Sequence, residues 1–146
     1  MSWAWPITFP LSLLGLADAT YLTITHFDPK TLKCAAHGHI NCELVTQSAQ
    51  SEIFGHIPVA IVGLAYFVLV VALCTPWAWL RGNLMFDRVR LAVMTAGMGM
   101  VIYLLSVEIH LKAICVYCTG VHIITFLIFL TTLAAYLLRP LDPIGS

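Results

Sequence analysis

Charge is what this sequence has least of. Only 10% of its residues are Asp, Glu, Lys or Arg, against roughly 25% in an ordinary soluble domain, and its seven basic side chains cancel its seven acidic ones. Without a basic excess there is no field to gather nucleic acid, and there is no acidic run to form a solvated tail. No Lys or Arg precedes Lys30. The apolar N-terminal stretch therefore lacks the positive start of a secretory signal; it is also long and interrupted by Asp18, so we read it as a retained span. Repeats, low-complexity runs and linkers long enough to separate domains are missing too, so residues 1–146 read as a single domain. Nothing alternates with the period of two that barrel strands require.

What is present is apolar: 60% of the residues are hydrophobic. A membrane-crossing helix needs about 20 such residues, because each advances about 1.5 Å through a hydrocarbon layer of roughly 30 Å. Four stretches qualify, from about Ile7 to Phe27, Pro58 to Thr75, Leu91 to His110 and Cys115 to Leu138. Backbone groups in lipid must bond within their own segment. The expected fold is thus all-α, a polytopic membrane protein built as a bundle of four transmembrane helices.

With four spans both termini share one side. The second connection carries Arg81, Arg88 and Arg90 and the tail adds Arg139, whereas the first and third loops carry Lys30, Lys33 and Lys112. The positive-inside rule then puts both termini in the cytoplasm by four basic residues to three. Cys34 and Cys42 in the first loop and Cys115 and Cys118 at the start of the fourth span reach the opposite, outer face, which is where disulfide chemistry is sustained. Cys74, near the inner end of the second span, reads as a buried apolar residue.

The cysteines form two pairs of different character. Cys115-Val-Tyr-Cys118 is a C-x-x-C motif at a helix start, where free N–H groups and the positive end of the dipole favour thiolate, and two sulfurs three residues apart share a helix face. Thr119 stands where a c-type haem site needs His. Cys34 and Cys42 bracket seven residues of polar loop that could present one thiol to a soluble partner and the other to the helix pair. A structural disulfide that only closes the loop is the plainer reading. A metal site is a third, since Cys34, His37, His39 and Cys42 offer two sulfurs and two imidazoles competent for zinc or copper, although at spacings unlike the usual zinc frameworks.

Between Glu43 and His56 apolar and small residues recur at intervals of three and four, which suits a short interfacial helix roofing a pocket, with Gly55 as a break and Pro58 opening the next span. His26, His37, His39, His56 and His110 gather toward the outer side. His122 lies one turn after Cys118 on the same helix face, so one ligand could meet a redox sulfur and an imidazole, or His122 could simply pack between helices. Glu108, near the outer end of the third span, reads as solvated at the interface. Asp18, in mid-span, must be neutral, paired or facing a cavity. Ala96, Gly97 and Gly99 suit close helix contact.

In order along the chain, Tyr21-Leu-Thr-Ile-Thr-His26, the pair Cys34 and Cys42, Ser51-Glu-Ile-Phe-Gly55 with Pro58, and Cys115-Val-Tyr-Cys118 resemble the vitamin K epoxide reductases and their bacterial and archaeal homologues. The resemblance covers essentially the whole chain and rests on the ordered set. It implies a thiol:quinone oxidoreductase: a four-helix bundle around a quinone, ubiquinone or menaquinone, with Cys118 beside the ring and Cys115 relaying electrons from Cys42. Cys34 would meet the reduced partner, a thioredoxin-like protein of the DsbA type, and the enzyme would sit in the inner membrane with its cysteines on the periplasmic face. His122 matches a residue that hydrogen-bonds a quinone oxygen, and Ser51, Glu52 and Phe54 match the region of a further quinone contact. Many bacterial relatives carry a fused thioredoxin-like domain. This chain stops at Ser146, so its partner is expected to be separate. The rival readings are a membrane metal-binding or transport protein using the outer Cys and His residues, and a DsbB-type quinone-coupled oxidase, whose C-x-x-C belongs in the first outer loop.

Overall fold

The computed structural model describes residues 2–34 and 38–139. Its order is α1 (Trp5–Phe27), a 3-10 turn (Pro29–Thr31), α2 (Cys42–Thr46), a second 3-10 turn (Ala49–Ser51), β1 (Glu52–Ile53), β2 (Ile57–Pro58), α3 (Val59–Cys74), α4 (Pro76–Leu80), α5 (Leu84–Leu111) and α6 (Val116–Leu137). The fold is all-α, a bundle of long apolar helices. α1, α5 and α6 are each long and apolar enough to cross a membrane. α3, at 16 residues, reaches roughly 24 Å. It is a shorter apolar helix, because Thr75 takes the extended backbone that a following proline imposes and α4 restarts at Pro76 with Thr75 as its cap.

α1 turns small and hydroxyl-bearing residues inward and large apolar ones outward. On α1 the buried residues are Thr8, Ser12, Gly15, Ala19, Leu22 and Thr25, a helical stripe of mostly small side chains, while Ile7, Leu13, Leu14 and Ile24 point outward. The hydroxyls do not go unpaired, since Thr8 donates to the Ala4 carbonyl and Ser12 to that of Phe9. Small residues let backbones approach, which substitutes in lipid for the hydrophobic force that drives packing in water. Gly15 takes the ring of Phe67 from α3, and Gly97 takes that of Tyr66. Nothing lies against Gly99, so the close contact expected there is confined to Gly97. Ala19, Phe67, Val70, Cys74, Met94 and Ile128 form the central core, with Cys74 fully buried as anticipated.

α5 starts at Leu84, not at the Leu91 that hydropathy suggests. Asn83 caps it by accepting from the Met85 N–H, and the charged first turns continue the helix past the apolar stretch. Arg90 is fully buried there. Its guanidinium stacks 3.7 Å above the Trp79 ring, its Nε donates to the Leu73 carbonyl, and Asp87 pairs with it at 2.8 Å. Asp87 also pairs with Arg139 from the end of α6. Trp79 in turn donates to the Thr8 hydroxyl. One end of the bundle is thus a polar clasp that gathers the start of α1, α4, the start of α5 and the end of α6.

The segment Glu43–His56 is not the single interfacial helix that its periodicity suggests. Asn41 caps α2 by accepting from the Leu44 N–H, but the helix stops after five residues. Thr46, Ser48 and Ser51 each turn their hydroxyls onto carbonyls three or four residues back, the local bonding that competes with helix continuation. The chain then reverses through Phe54 and Gly55, both at positive φ, pairing Ile53 with Ile57.

Candidate functional site

The end of the bundle opposite the Arg90 clasp gathers all four cysteines of interest. Cys34 and Cys42 are joined as a disulfide, while Cys115 and Cys118 are free thiols. Cys42 and Cys115 are both fully buried in one apolar cluster with Leu22, Val45 and Ala113, against which Cys34 and Cys118 also pack.

The juxtaposition follows from local backbone bonding. Residues 39–41 lie beside the turn before α6 as a one-residue parallel bridge between Ile40 and Ile114. The Asn41 N–H donates to the Ile114 carbonyl at 3.1 Å and the Ile114 N–H to that of His39 at 2.8 Å. Just beyond this bridge on each segment stand Cys42 and Cys115. The other arm of the loop is held by two tyrosines. The Tyr117 hydroxyl donates to the Lys33 carbonyl at 2.7 Å, the Lys33 N–H donates to the Tyr21 hydroxyl at 3.0 Å, and the two rings pack at a tilt of 51° with centroids 4.7 Å apart. Neither tyrosine was given a role from sequence, although Tyr117 sits inside the C-x-x-C.

Cys115 is the N-cap of α6, and its sulfur accepts from the Cys118 N–H at 3.4 Å. A hydrogen bond from the Cys118 thiol, joined by the backbone N–H groups of Cys118 and Tyr117, holds the Cys115 thiol below its ordinary range against the opposing effect of burial. Cys115 is therefore the sulfur of this pair that rests most readily as thiolate.

Cys118 lines a cavity of about 290 Å³ enclosed by α1, α3, α5 and α6. Apolar side chains such as Leu22, Val62, Met100, Val101 and Leu104 make most of its wall. Its polar groups are few. His122 is 5% exposed with neither ring nitrogen hydrogen-bonded, and Glu108 is 6% exposed with its Oε1 unpartnered among the described residues. Val45, Thr46, Gln50 and Ser51 cover it, so the loop does roof a pocket, as a short helix plus turns. His26 fixes that roof, its Nδ1 lying 3.0 Å from the Thr46 carbonyl while Gln47 reaches back to the His26 carbonyl.

Of the quinone contacts expected from the resemblance, Cys118, His122 and Ser51 line the cavity. The Ser51 hydroxyl already donates to the Ser48 carbonyl at 2.6 Å and has only lone pairs to offer inward. Glu52 and Phe54 are not in the lining: the reversal at Phe54 and Gly55 turns them out, and Phe54 is 90% exposed. Glu108 is not solvated, as its position near a helix end suggests. It belongs to the inward stripe of Gly97, Val101 and Leu104, and that helical phase was the signal that could have placed it. Asp18 is half-buried against Gly120 of α6 and outside the cavity. His39 sits 3.3 Å from the Lys112 carbonyl, His56 and His110 are exposed, and His37 lies outside the described residues.

The family model described as the vitamin K epoxide reductase family matches residues 6–133. No curated protein matches the chain.

Proposed function

Since the chain belongs to the vitamin K epoxide reductase family, and so is a membrane redox enzyme, we propose that it oxidises the dithiol of a separate thioredoxin-like, DsbA-type protein and passes the electrons through its two cysteine pairs to a membrane quinone, supporting disulfide-bond formation. The observation that carries this reading is the packing of Cys42 against the Cys115–Cys118 end of α6, with Cys118 on the wall of an apolar cavity.

The residues around the cavity fit a quinone. Its walls are apolar, its size is near the lower end of the roughly 300–1,000 Å³ of small-molecule sites, and the unpartnered nitrogens of His122 lack a hydrogen-bonding group that a carbonyl oxygen would supply. Bound there, a quinone supplies a two-electron, two-proton sink. The protein's own contribution is thiol exchange. A partner thiolate attacks Cys34, the Cys34–Cys42 bond breaks, and the second partner thiol completes the partner's disulfide. Cys42 thiolate then attacks Cys115 in an oxidised Cys115–Cys118 pair, Cys118 leaves as thiolate and takes a proton, and Cys34 closes on Cys42 to release Cys115. The arrangement with Cys34–Cys42 closed and Cys115 and Cys118 free is the product of that last exchange. Each step needs little driving force, since about 30 mV is 1.4 kcal/mol for two electrons. His122 offers an N–H to the acceptor, and Val45, Gln50 and Ser51 roof the cavity beside Cys118. The cysteines then face the periplasm from the inner membrane, with both termini cytoplasmic.

The metal reading has less to stand on. It needs Cys34 and Cys42 as thiolates, and here they are bonded to each other.

The test is dithiol oxidation by the purified chain with a short-tailed quinone. Cys118→Ala should bring it to background, as should Cys42→Ala when the dithiol is a protein. Full activity in Cys118→Ala removes the proposal.

A further inference from the structure

Resting on that thiol:quinone reading, we infer that Glu108 is the group that stores a proton for the Cys115–Cys118 pair and delivers it into the cavity as the pair is oxidised. Among the described residues Glu108 is the only acidic side chain in the cavity lining. It is 6% exposed, its Oε1 meets no donor, and both salt bridges among the described residues are made by Asp87 at the far end of the bundle. Glu108 lines the same cavity wall as Cys118, and the Ala113 N–H, two residues before Cys115, donates to the Glu108 main-chain carbonyl at 3.2 Å, which puts it next to the sulfur pair. A carboxylate so placed, in an apolar wall with no cation beside it, is unfavourable, and the group rests as the neutral acid.

The chemistry of the pair calls for such a store. Cys115 caps the start of α6 and its sulfur accepts from the Cys118 N–H; with Cys115 entering the step as thiolate, the reduced pair carries one proton for its two electrons, while a quinone accepts two of each. The balance closes with one carboxyl proton. Cys115 thiolate and Cys118 thiol form the disulfide and release two electrons; one proton leaves from Cys118 and one from Glu108, which becomes carboxylate. When Cys34 and Cys42 arrive as a dithiol and close, their two protons return one to Cys118 and one to Glu108, and charge is conserved in both steps. The titratable groups facing Glu108 are Cys115, Cys118 and His122 at α6, Tyr66 of α3 and His26 of α1 across the cavity. His122 is separate from this store, because in this scheme its N–H is committed to the acceptor.

Redox-difference infrared spectroscopy of the protein in lipid discs with a short-tailed quinone reads the store directly. Oxidation of the Cys115–Cys118 pair should remove a protonated-carboxyl band, and the band should be missing in Glu108→Gln but retained in Asp18→Asn. In turnover Glu108→Gln should lower kcat on the order of 100-fold with the quinone KM within about twofold, the signature of a proton-transfer defect rather than of lost binding, and Glu108→Asp should restore some of the rate. A band that survives Glu108→Gln, or a kcat within about threefold of the parent, overturns the assignment. If Glu108→Gln does not fold, Glu108→Asp decides: the band must shift in frequency, and an unshifted band overturns the assignment. An inactive parent chain overturns the thiol:quinone reading itself, whereas an active parent with an active Glu108→Gln overturns only the proton store.

Discussion

The hydroxyl of Tyr117 donates to the carbonyl of Lys33 across 84 positions of sequence, so the residue between the two helix cysteines is tied to the backbone just before the first loop cysteine. The two cysteine pairs are therefore linked through the chain that carries them as well as by packing.

Replacing Tyr117 by Phe removes that bond and keeps the ring against Tyr21. The expected loss is about 1 kcal/mol of stability, the usual net worth of one such bond. Reduction of Cys34–Cys42 by a soluble dithiol should also quicken as the arm loosens. Thermal unfolding and stopped-flow reduction measure the two, and an unchanged reduction rate would show that the arm is held elsewhere.

Cys115 provides a pH test. Its thiol is held low first by the Cys118 thiol, so Cys118→Ala should move the thiolate titration of reduced protein, with Cys34 and Cys42 changed to Ser, toward higher pH. A depressed folded-state value contributes stability that is complete above the ordinary thiol value of about 8.5 and lost as pH falls through the depressed one. The advantage of the Cys118-containing protein over Cys118→Ala should accordingly grow from acid to alkaline pH across that window. Ultraviolet thiolate absorbance and denaturation at several pH values check it; a shift to lower pH contradicts the hydrogen-bond account.

Two glycines on α5 make a matched pair. A methyl at Gly97 meets the Tyr66 ring and hydroxyl, whereas one at Gly99 meets nothing. Gly97→Ala should cost about 1–3 kcal/mol by overpacking, and Gly99→Ala should be neutral or stabilise by up to about 1 kcal/mol through helix propensity. Equal effects in a detergent or lipid unfolding assay would mean that Tyr66 yields freely.

At the other end, Asp87→Ala leaves Arg90 buried without its anion. Breaking a buried pair by removing one partner costs about 3–5 kcal/mol. Arg90→Leu should cost less, because Asp87 keeps Arg139. Unfolding midpoints of the two variants should rank in that order.

Much of this architecture could be read from the residues alone. The apolar stretches matched the helix ends to within a residue or two wherever they ended at a turn, as at Phe27 and Cys74. They missed the start of α5, because Arg88 and Arg90 mark the limit of the apolar stretch and not of the helix. That Cys118 and His122 face one cavity could be read from their helical spacing, and Ser51 lies in the lining with them. The segment after Cys42 was harder. Its pattern of three and four suits a helix, but hydroxyls bonding back to the chain and a reversal at Phe54 depend on local geometry that periodicity does not encode. Glu108 was misjudged because closeness to a helix end was weighed above helical phase, and phase decides which way a side chain faces.

The Asp87 clasp also fixes an order of events. Arg139 lies 52 residues after Asp87, just past the last described helix, so the second arginine emerges from the ribosome only after α1, α3, α5 and α6 have been made. Until then Asp87 has Arg90 as its one cationic partner among the described residues. The two ion pairs of Asp87 therefore tie the start of α5 to the far end of the chain's last helix, and a chain without Arg139 would leave Asp87 with Arg90 alone.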